Sequence, residues 1–276
     1  MDRDERMYNH RPFLVLADYL TRAGIAVLRT DARGAGKSGG KSAGLELEDY
    51  AGDSAAALAY LRTRSEVNGS RVGLIAHGDG GLAAAVIAAR DLAVAFAVML
   101  GAPAVPAAEN VVESGWLSAV ANGALRAQAD EQASMMRGVM SAVTQENDPA
   151  ALTARLRDML AGKLPEAQIA AQLRQWTSLA FLRSMSYDPV PQLRKIACPV
   201  LALYAAKDLS VPAGRNVPAM RAALSANKAA TVEEAPDVNL LFQTADTGIG
   251  REANWAEETM SPAVLQRIAG WIARQR

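Results

Sequence analysis

One stretch of the chain combines a short apolar strand, a tight turn of small residues and an apolar helix, in that order. It runs from Arg71 to Arg90, and its turn reads Ala76-His-Gly-Asp-Gly80. Small residues at both ends of such a turn are typical of a nucleophile elbow, which presents its central side chain above the edge of a sheet. The central position is Gly78, which has no side chain and cannot attack a carbonyl carbon. The stretch therefore predicts an elbow without its nucleophile.

Length and composition limit the class of protein. The chain has 276 residues and a formal net charge of +0, which suits one sizeable α/β domain and offers no basic surface for nucleic acid. No apolar run approaches the roughly 20 residues that span a bilayer, so we expect no membrane contact. The single cysteine, Cys198, excludes an intrachain disulfide. The charged N-terminus predicts a cytoplasmic protein as written, or a secreted or periplasmic one if a signal segment lies upstream.

Short apolar strands alternate with helices over most of the sequence. The pattern predicts strands at 25–29, 71–76, 94–100, 199–204 and 231–234, and helices at 12–23, 45–64, 80–90, 217–224 and 262–274. Uninterrupted apolar strands of this kind indicate a mostly parallel sheet covered by helices on both faces. Residues 108–185 read as helical throughout and form a predicted cap insertion. The predicted α/β core comprises residues 1–107 and 186–276.

Two glycine-containing loops are compatible in part with phosphate binding. Gly34-Ala-Gly-Lys-Ser38 resembles the end of a phosphate-binding loop, but Asp31 occupies the position five residues before Gly36, where that loop requires glycine. This loop and the elbow also fit the G-x-G-x-x-G/A spacing of dinucleotide sites. The strand after the elbow, however, ends without the acidic residue that such a site uses. A nucleotide-binding module stays open as one functional alternative.

Several motifs in collinear order resemble the bacterial esterase and serine-aminopeptidase-like branch of the α/β-hydrolase superfamily. The longer ones are Asp31-x-Arg-Gly-x-Gly-x-Ser38, the elbow at 76–80 and Pro199-Val-Leu-Ala-Leu-x-x-x-Lys-Asp208; shorter ones are Asp2-Arg-Asp-Glu5 and Leu241-Phe-Gln-Thr-Ala245. They cover nearly the whole chain. The resemblance implies an α/β-hydrolase fold: a mostly parallel sheet flanked by helices, with a helical cap.

The resemblance also assigns the positions of a catalytic triad. In such enzymes a serine attacks the acyl carbon, a histidine moves its proton and an acid orients the histidine. The acid corresponds to Asp208, the nucleophile to Gly78 and the histidine to Leu240, so Asp208 would be a remnant acid in a degenerate triad. Asp79 and Gly80 correspond to the elbow residues beside the oxyanion site.

The family's oxyanion site also uses a strand and a glycine loop that precede the Asp2–Glu5 motif. The printed sequence starts at that motif, so we expect N-terminal strands of the family's sheet to be missing. The gap would lie between the strands predicted at 25–29 and 71–76. Unpaired backbone groups there would cost on the order of 1–3 kcal/mol each if buried.

Together these assignments predict a homologue of carboxylic-ester hydrolases that is inactive or impaired. It would use no cofactor and no metal, and would hold a small acyl or ester-like ligand under the cap. The alternative is an active esterase or peptidase that uses other groups, such as Asp79 as an aspartyl nucleophile or a metal bound by His77, Asp79 and Asp208. His77 itself is predicted to be a packed or hydrogen-bonded structural residue.

Overall fold

A computed structural model gives the fold and describes residues 2–275. Within these residues the strands form one sheet, in which every strand runs parallel to its neighbours in the order β1-β2-β3-β4. The strands are β1 (Leu74–His77), β2 (Ala97–Leu100), β3 (Val200–Ala205) and β4 (Ala230–Ala235). The predicted parallel sheet is confirmed, although β1 and β2 each begin three residues later than the apolar pattern suggests.

Helices occupy most of the remaining chain, and the predicted helices of the α/β core are confirmed with small shifts at their ends. Pro12 and Pro262 begin the first and last of them, at a position where a helix needs no backbone N–H. The helices are α1 (Pro12–Arg22), α2 (Leu47–Arg62), α3 (Gly80–Arg90), α4 (Ala107–Ala121), α5 (Arg126–Gln145), α6 (Pro149–Leu160), α7 (Glu166–Trp176), α8 (Leu179–Met185), α9 (Val190–Leu193), α10 (Ala213–Ala223), α11 (Gly250–Trp255) and α12 (Pro262–Ala273).

Both faces of the sheet are covered by helices. Successive strand residues point to opposite faces, so a strand buried on both sides must be apolar throughout. Met99 and Ala202 pack on one face with α3, α9 and α10. Val98 and Leu201 pack on the other face with α1 and α12. This arrangement explains why the strand sequences show no alternation of polar and apolar residues.

The strand predicted at 25–29 is wrong. Residues 25–30 have no strand pairing in the described part of the chain, although Ile25 and Val27 pack into the apolar cluster beside α1 and α12. An apolar run reports burial, whereas a strand also requires a neighbouring backbone that completes its hydrogen bonds. The expectation that N-terminal strands of the family's sheet are missing stays a prediction.

The described chain divides into two compact units. Met1–Ala104 and Pro189–Arg276 form the α/β unit, and Val105–Asp188 forms a helical unit. In the helical unit, apolar residues spaced three or four apart give each helix one buried stripe; those of α6 and α7 are Leu152, Leu156, Leu160, Ile169, Leu173 and Trp176. The assignment of residues 108–185 as a cap stays a prediction. Within residues 2–275, no helix combines the length and the apolar character needed to cross a membrane.

Helix α3 approaches the backbone after β2 at a glycine. A Cβ atom added at Gly81 would overlap the Cβ of Ala102, so only glycine permits the observed distance. We expect Gly81→Ala to lower the free energy of unfolding by about 1–3 kcal/mol, because the added methyl group overpacks this contact. Urea unfolding followed by circular dichroism measures the change.

The matched control is Gly52→Ala in α2, where an added Cβ meets no atom within 4 Å. This substitution should raise stability by about 0.5–1 kcal/mol, the usual gain when alanine replaces glycine inside a helix. Equal effects of the two substitutions would contradict the close contact at Gly81.

Candidate functional site

The turn between β1 and α3 has the backbone of a nucleophile elbow. Gly78 adopts φ +53°, in the left-handed region that glycine enters most readily. Its N–H donates to the Leu100 carbonyl at 2.9 Å, and its carbonyl accepts from the N–H of Gly81 at 2.9 Å. Through these two bonds Gly78 is linked both to the end of β2 and to the first turn of α3. A Cβ at Gly78 would meet no atom within 4 Å, so the central position of the elbow is open.

Asp208 lies in the turn that follows β3 and is buried. Its Oδ1 accepts hydrogen bonds from the backbone N–H groups of Ser210 at 2.7 Å and Val211 at 3.0 Å. Burial raises the pKa of this carboxyl, and the two amides and the charge of His77 offset that rise only in part. Gly101, at the end of β2, faces the carboxylate: a Cβ there would lie 3.3 Å from Oδ2.

Leu240 lies in the loop 238–244, whose backbone is stabilised by hydrogen bonds to buried polar side chains. Asn239 Oδ1 accepts from the N–H groups of Leu241 at 2.9 Å and Gln243 at 3.2 Å. Phe242 adopts φ +60°, which is uncommon for a residue with a side chain. The carbonyl of Leu240 accepts a hydrogen bond from His77 Nε2 at 2.7 Å. The loop is therefore hydrogen-bonded to His77, the last residue of β1, through the backbone carbonyl of residue 240.

His77, the residue before the elbow centre, connects these parts. Its Nδ1 lies 2.8 Å from Glu5 Oε1, and its ring contacts Phe242 edge-on with centroids 6.3 Å apart. Burial lowers the pKa of the His77 imidazole, but the hydrogen bond and charge of Glu5, the Leu240 carbonyl and the charge of Asp208 outweigh it, so this pKa lies above its ordinary value. The structure confirms that His77 is packed and hydrogen-bonded; a purely structural role for it stays a prediction.

The three positions of the predicted degenerate triad thus meet around one side chain. Gly78 follows His77 in the chain, and the carbonyl of Leu240 accepts a hydrogen bond from the His77 ring. The negative charge of Asp208 helps to raise the pKa of that ring. Glu5 belongs to the motif Asp2–Glu5, but the motif by itself assigns no role to its side chain. Only the fold shows that this buried carboxylate faces the elbow.

Asp79 and Gly80 are both exposed at the start of α3. Asp79 stands at the N-cap position, and its side chain makes no capping hydrogen bond. The role of these two residues beside an oxyanion site stays a prediction. In the part of the chain that the structure describes, no three His, Cys, Asp or Glu side chains form a group that could hold a metal ion, and this applies to His77, Asp79 and Asp208.

The glycine loop after residue 30 surrounds a carboxylate of its own chain. Asp31 accepts from the backbone N–H groups of Arg3 at 2.8 Å and Lys37 at 2.9 Å, and pairs with the Arg3 guanidinium at 2.6 Å. The Arg3 side chain and these amides hold the pKa of Asp31 well below its usual range. A Cβ at Gly36, whose φ is +53°, would overlap this carboxylate. The amide of Lys37, which a phosphate would need, is therefore already bonded to Asp31.

Asp208 and Asp31 are buried carboxylates with opposite pKa shifts, and this predicts opposite effects of the same substitution. The folded-state pKa of Asp208 is raised, so its charged form destabilises the fold at neutral pH. Asp208→Asn keeps an oxygen for the two amides and should therefore unfold at a higher urea concentration than the wild type at pH 7. The difference should shrink as the pH falls towards about 3.9, the unfolded value.

Asp31→Asn is the control. In the wild type, folding lowers the pKa of the Asp31 carboxyl. The stability that the charged carboxylate supplies is therefore present above the pKa of the unfolded state and is lost as the pH falls below it. This variant should be less stable than the wild type at pH 7, and its deficit should narrow below a pH of about 3.9. Effects of the same sign for the two variants at pH 7 would contradict the environments described for these carboxylates.

Comparison with solved structures supports the fold. The chain is similar to an esterase from Pyrococcus furiosus (15% identity, 95% of this chain and 75% of that chain covered, TM-score 0.53). It is similar to a monoacylglycerol lipase from Paleococcus ferrophilus (16%, 95% and 88%, 0.52). It is also similar to Est1E from Butyrivibrio proteoclasticus, a structure with bound ferulic acid (16%, 100% and 87%, 0.55). Similarities at these identities show the fold alone.

The sequence itself matches one family model. The model, described as serine aminopeptidase, S33, matches residues 10–235, which include the elbow, Asp208 and most of the sheet. No curated protein sequence matches the chain. The match covers most of the chain, and the parallel sheet with its elbow agrees with it. The chain therefore belongs to the serine aminopeptidase S33 family, within the α/β-hydrolase superfamily.

Proposed function

We propose that this α/β-hydrolase is a homologue of carboxylic-ester hydrolases that is inactive or impaired in serine hydrolysis and still binds a small acyl or ester-like ligand. The observation that supports this most directly is the elbow. Its left-handed backbone and its junction with α3 are complete, yet the central residue is Gly78. A turn built to present a hydroxyl group presents none.

The base is absent as well. Leu240 stands where the resemblance places the histidine, and its hydrocarbon side chain cannot accept a proton. His77 is close but not free, because both of its ring nitrogens are hydrogen-bonded. Releasing the ring would break a bond to a charged group, which costs roughly 1.5–3 kcal/mol. His77 therefore makes a poor substitute for the missing base.

The character of the ligand follows from the charge of the site. Asp208 is buried, and burial already disfavours its negative form. A second anion beside it would add repulsion in a poorly solvated place, so an uncharged ester suits the site better than a free carboxylate. The open position at Gly78 offers room for an acyl group where the family has a serine side chain.

A second candidate is an active hydrolase that uses other groups. Membership in a family of hydrolases favours it. Asp79 would be the nucleophile of choice, because it is exposed and lies next to the elbow centre. It stands one position beyond that centre, however, and a covalent ester on Asp79 would still need a base to activate water.

Hydrolysis of p-nitrophenyl butyrate by the purified full chain separates the two candidates. Loss of triad members lowers kcat by about 10⁴–10⁶-fold, and a typical enzyme turns over at about 10 s⁻¹. We therefore expect turnover below about 10⁻³ s⁻¹. Titration calorimetry with the same ester should nevertheless show binding. Turnover near that of a typical enzyme, abolished by Asp79→Asn, would refute the proposal and support the second candidate.

Restoring both groups tests whether the elbow still functions as a scaffold. The double variant Gly78→Ser/Leu240→His should fold, at a cost of about 1–3 kcal/mol for a left-handed residue with a side chain. The restored serine should react with a fluorophosphonate probe, which mass spectrometry detects as a covalent adduct on residue 78. Gly78→Ala/Leu240→His has the same backbone strain without the hydroxyl and should not react. A folded double variant that also fails to react would show that the site has lost more than these two groups.

A further inference from the structure

Three segments that are distant in sequence meet at the His77 ring. Glu5 comes from the N-terminal segment, 72 residues before His77. Leu240 comes from the loop 238–244, 163 residues after it. Glu5 and His77 are both largely buried, with 11% of each side chain exposed. The contact therefore lies inside the α/β unit and joins its N-terminal segment to the loop that contains residue 240.

The chemistry of the partners fixes where the protons are. A backbone carbonyl only accepts hydrogen bonds, so His77 Nε2 must bear a proton to bond with Leu240. In a neutral ring Nδ1 would then be an acceptor facing Glu5, and an ionised carboxylate is also only an acceptor. The 2.8 Å contact between Nδ1 and Oε1 therefore requires one more proton between them.

The charges that face the ring favour placing this proton on the histidine. Glu5, in the N-terminal segment, and Asp208, in the turn after β3, both place negative charge near the ring, and both raise the pKa of His77. The loop 238–244 contributes the Leu240 carbonyl and the uncharged ring of Phe242. Each charged or dipolar partner presents negative charge, and such partners stabilise an imidazolium.

Backbone strain surrounds the same ring. Glu5 has φ +53° and Phe242 has φ +60°, both in the left-handed region that residues with side chains rarely adopt. Strain of this kind persists only where the surrounding contacts hold it, and it concentrates at functional sites. Among the five non-glycine residues with positive φ in the described chain, Glu5 is a direct hydrogen-bond partner of His77 and Phe242 supplies the aromatic ring that packs on it.

We propose that Glu5 and His77 form a buried carboxylate–imidazolium pair whose Nε2–H holds the backbone of residue 240 against the elbow. Glu5 and His77 are thus positioning residues for the loop 238–244, and the N-terminal segment sets the geometry of the site from a distance. This assignment concerns the fold of the site and holds whether or not the chain hydrolyses esters.

The protonation state of His77 tests the pair directly in the wild-type chain. His10 and His77 are the only histidines, so ¹⁵N-histidine labelling gives two rings, and His10→Gln identifies the signals of His77. At pH 7.5 we expect both ring nitrogens of His77 to be protonated and to exchange slowly with water. A neutral His77 ring at this pH would overturn the proposal.

Removal of the carboxylate tests the positioning role. In Glu5→Gln we expect His77 to become neutral at pH 7.5 with the proton on Nε2. The amides of residues 241–243 should exchange with solvent about tenfold faster, the change expected when a charge-assisted hydrogen bond is weakened. If this variant does not fold, the protonation state of His77 in the wild-type chain still decides whether the pair exists.

Asp4→Asn is the matched control, because it removes a neighbouring carboxylate that pairs with Arg29 and does not bond to His77. It should leave the His77 signals and the exchange of residues 241–243 close to those of the wild type. The same changes in both variants would show a general loosening of the N-terminal segment and would overturn a specific role for Glu5.

Discussion

The site depends on parallel strand pairing. Because β1, β2 and β3 run in the same direction, their carboxyl ends meet at one edge of the sheet, which is where α/β proteins place their ligands. Gly78, Gly101 and Asp208 follow these three ends in turn. The buried apolar faces keep the strands in register, and the register sets which residues stand side by side at the edge. The loop with residue 240 completes the arrangement from the next connection along the chain.

Under the proposed function, the scaffold of the site remains while its chemistry is lost. The left-handed turn at Gly78, the buried acid Asp208 and the hydrogen-bonded His77 are all in place. Residues 78 and 240, where the resemblance places the serine and the histidine, are glycine and leucine. A fold needs its backbone contacts to remain stable, whereas a reactive hydroxyl or imidazole contributes little to stability. The proposed loss of the reactive groups is therefore compatible with an intact architecture.

Local signals in the sequence predicted the parts of the fold that local physics determines. Helix α3 begins at Gly80, the last small residue of the elbow, and ends at Arg90, as its apolar pattern indicates. The strand predicted at 25–29 is wrong because a strand requires a partner, and a partner strand cannot be identified from the segment itself. Glu5 was missed for a related reason: its contact with His77 spans 72 residues. The positions Gly78, Asp208 and Leu240 came from a resemblance between motifs, and the fold shows that they are neighbours of one ring.

The main chain of residue 240 anchors it to the sheet. The atom that bonds to His77 is the carbonyl oxygen, which every amino acid possesses, so this hydrogen bond does not depend on the identity of the side chain at 240. The position can thus exchange an imidazole for a hydrocarbon, or the reverse, without altering the contact that anchors it. Under the proposed function, the side chain at 240 determines reactivity and the carbonyl oxygen provides the anchor, so a gain or loss of catalysis here needs a change of side chain rather than a change of fold.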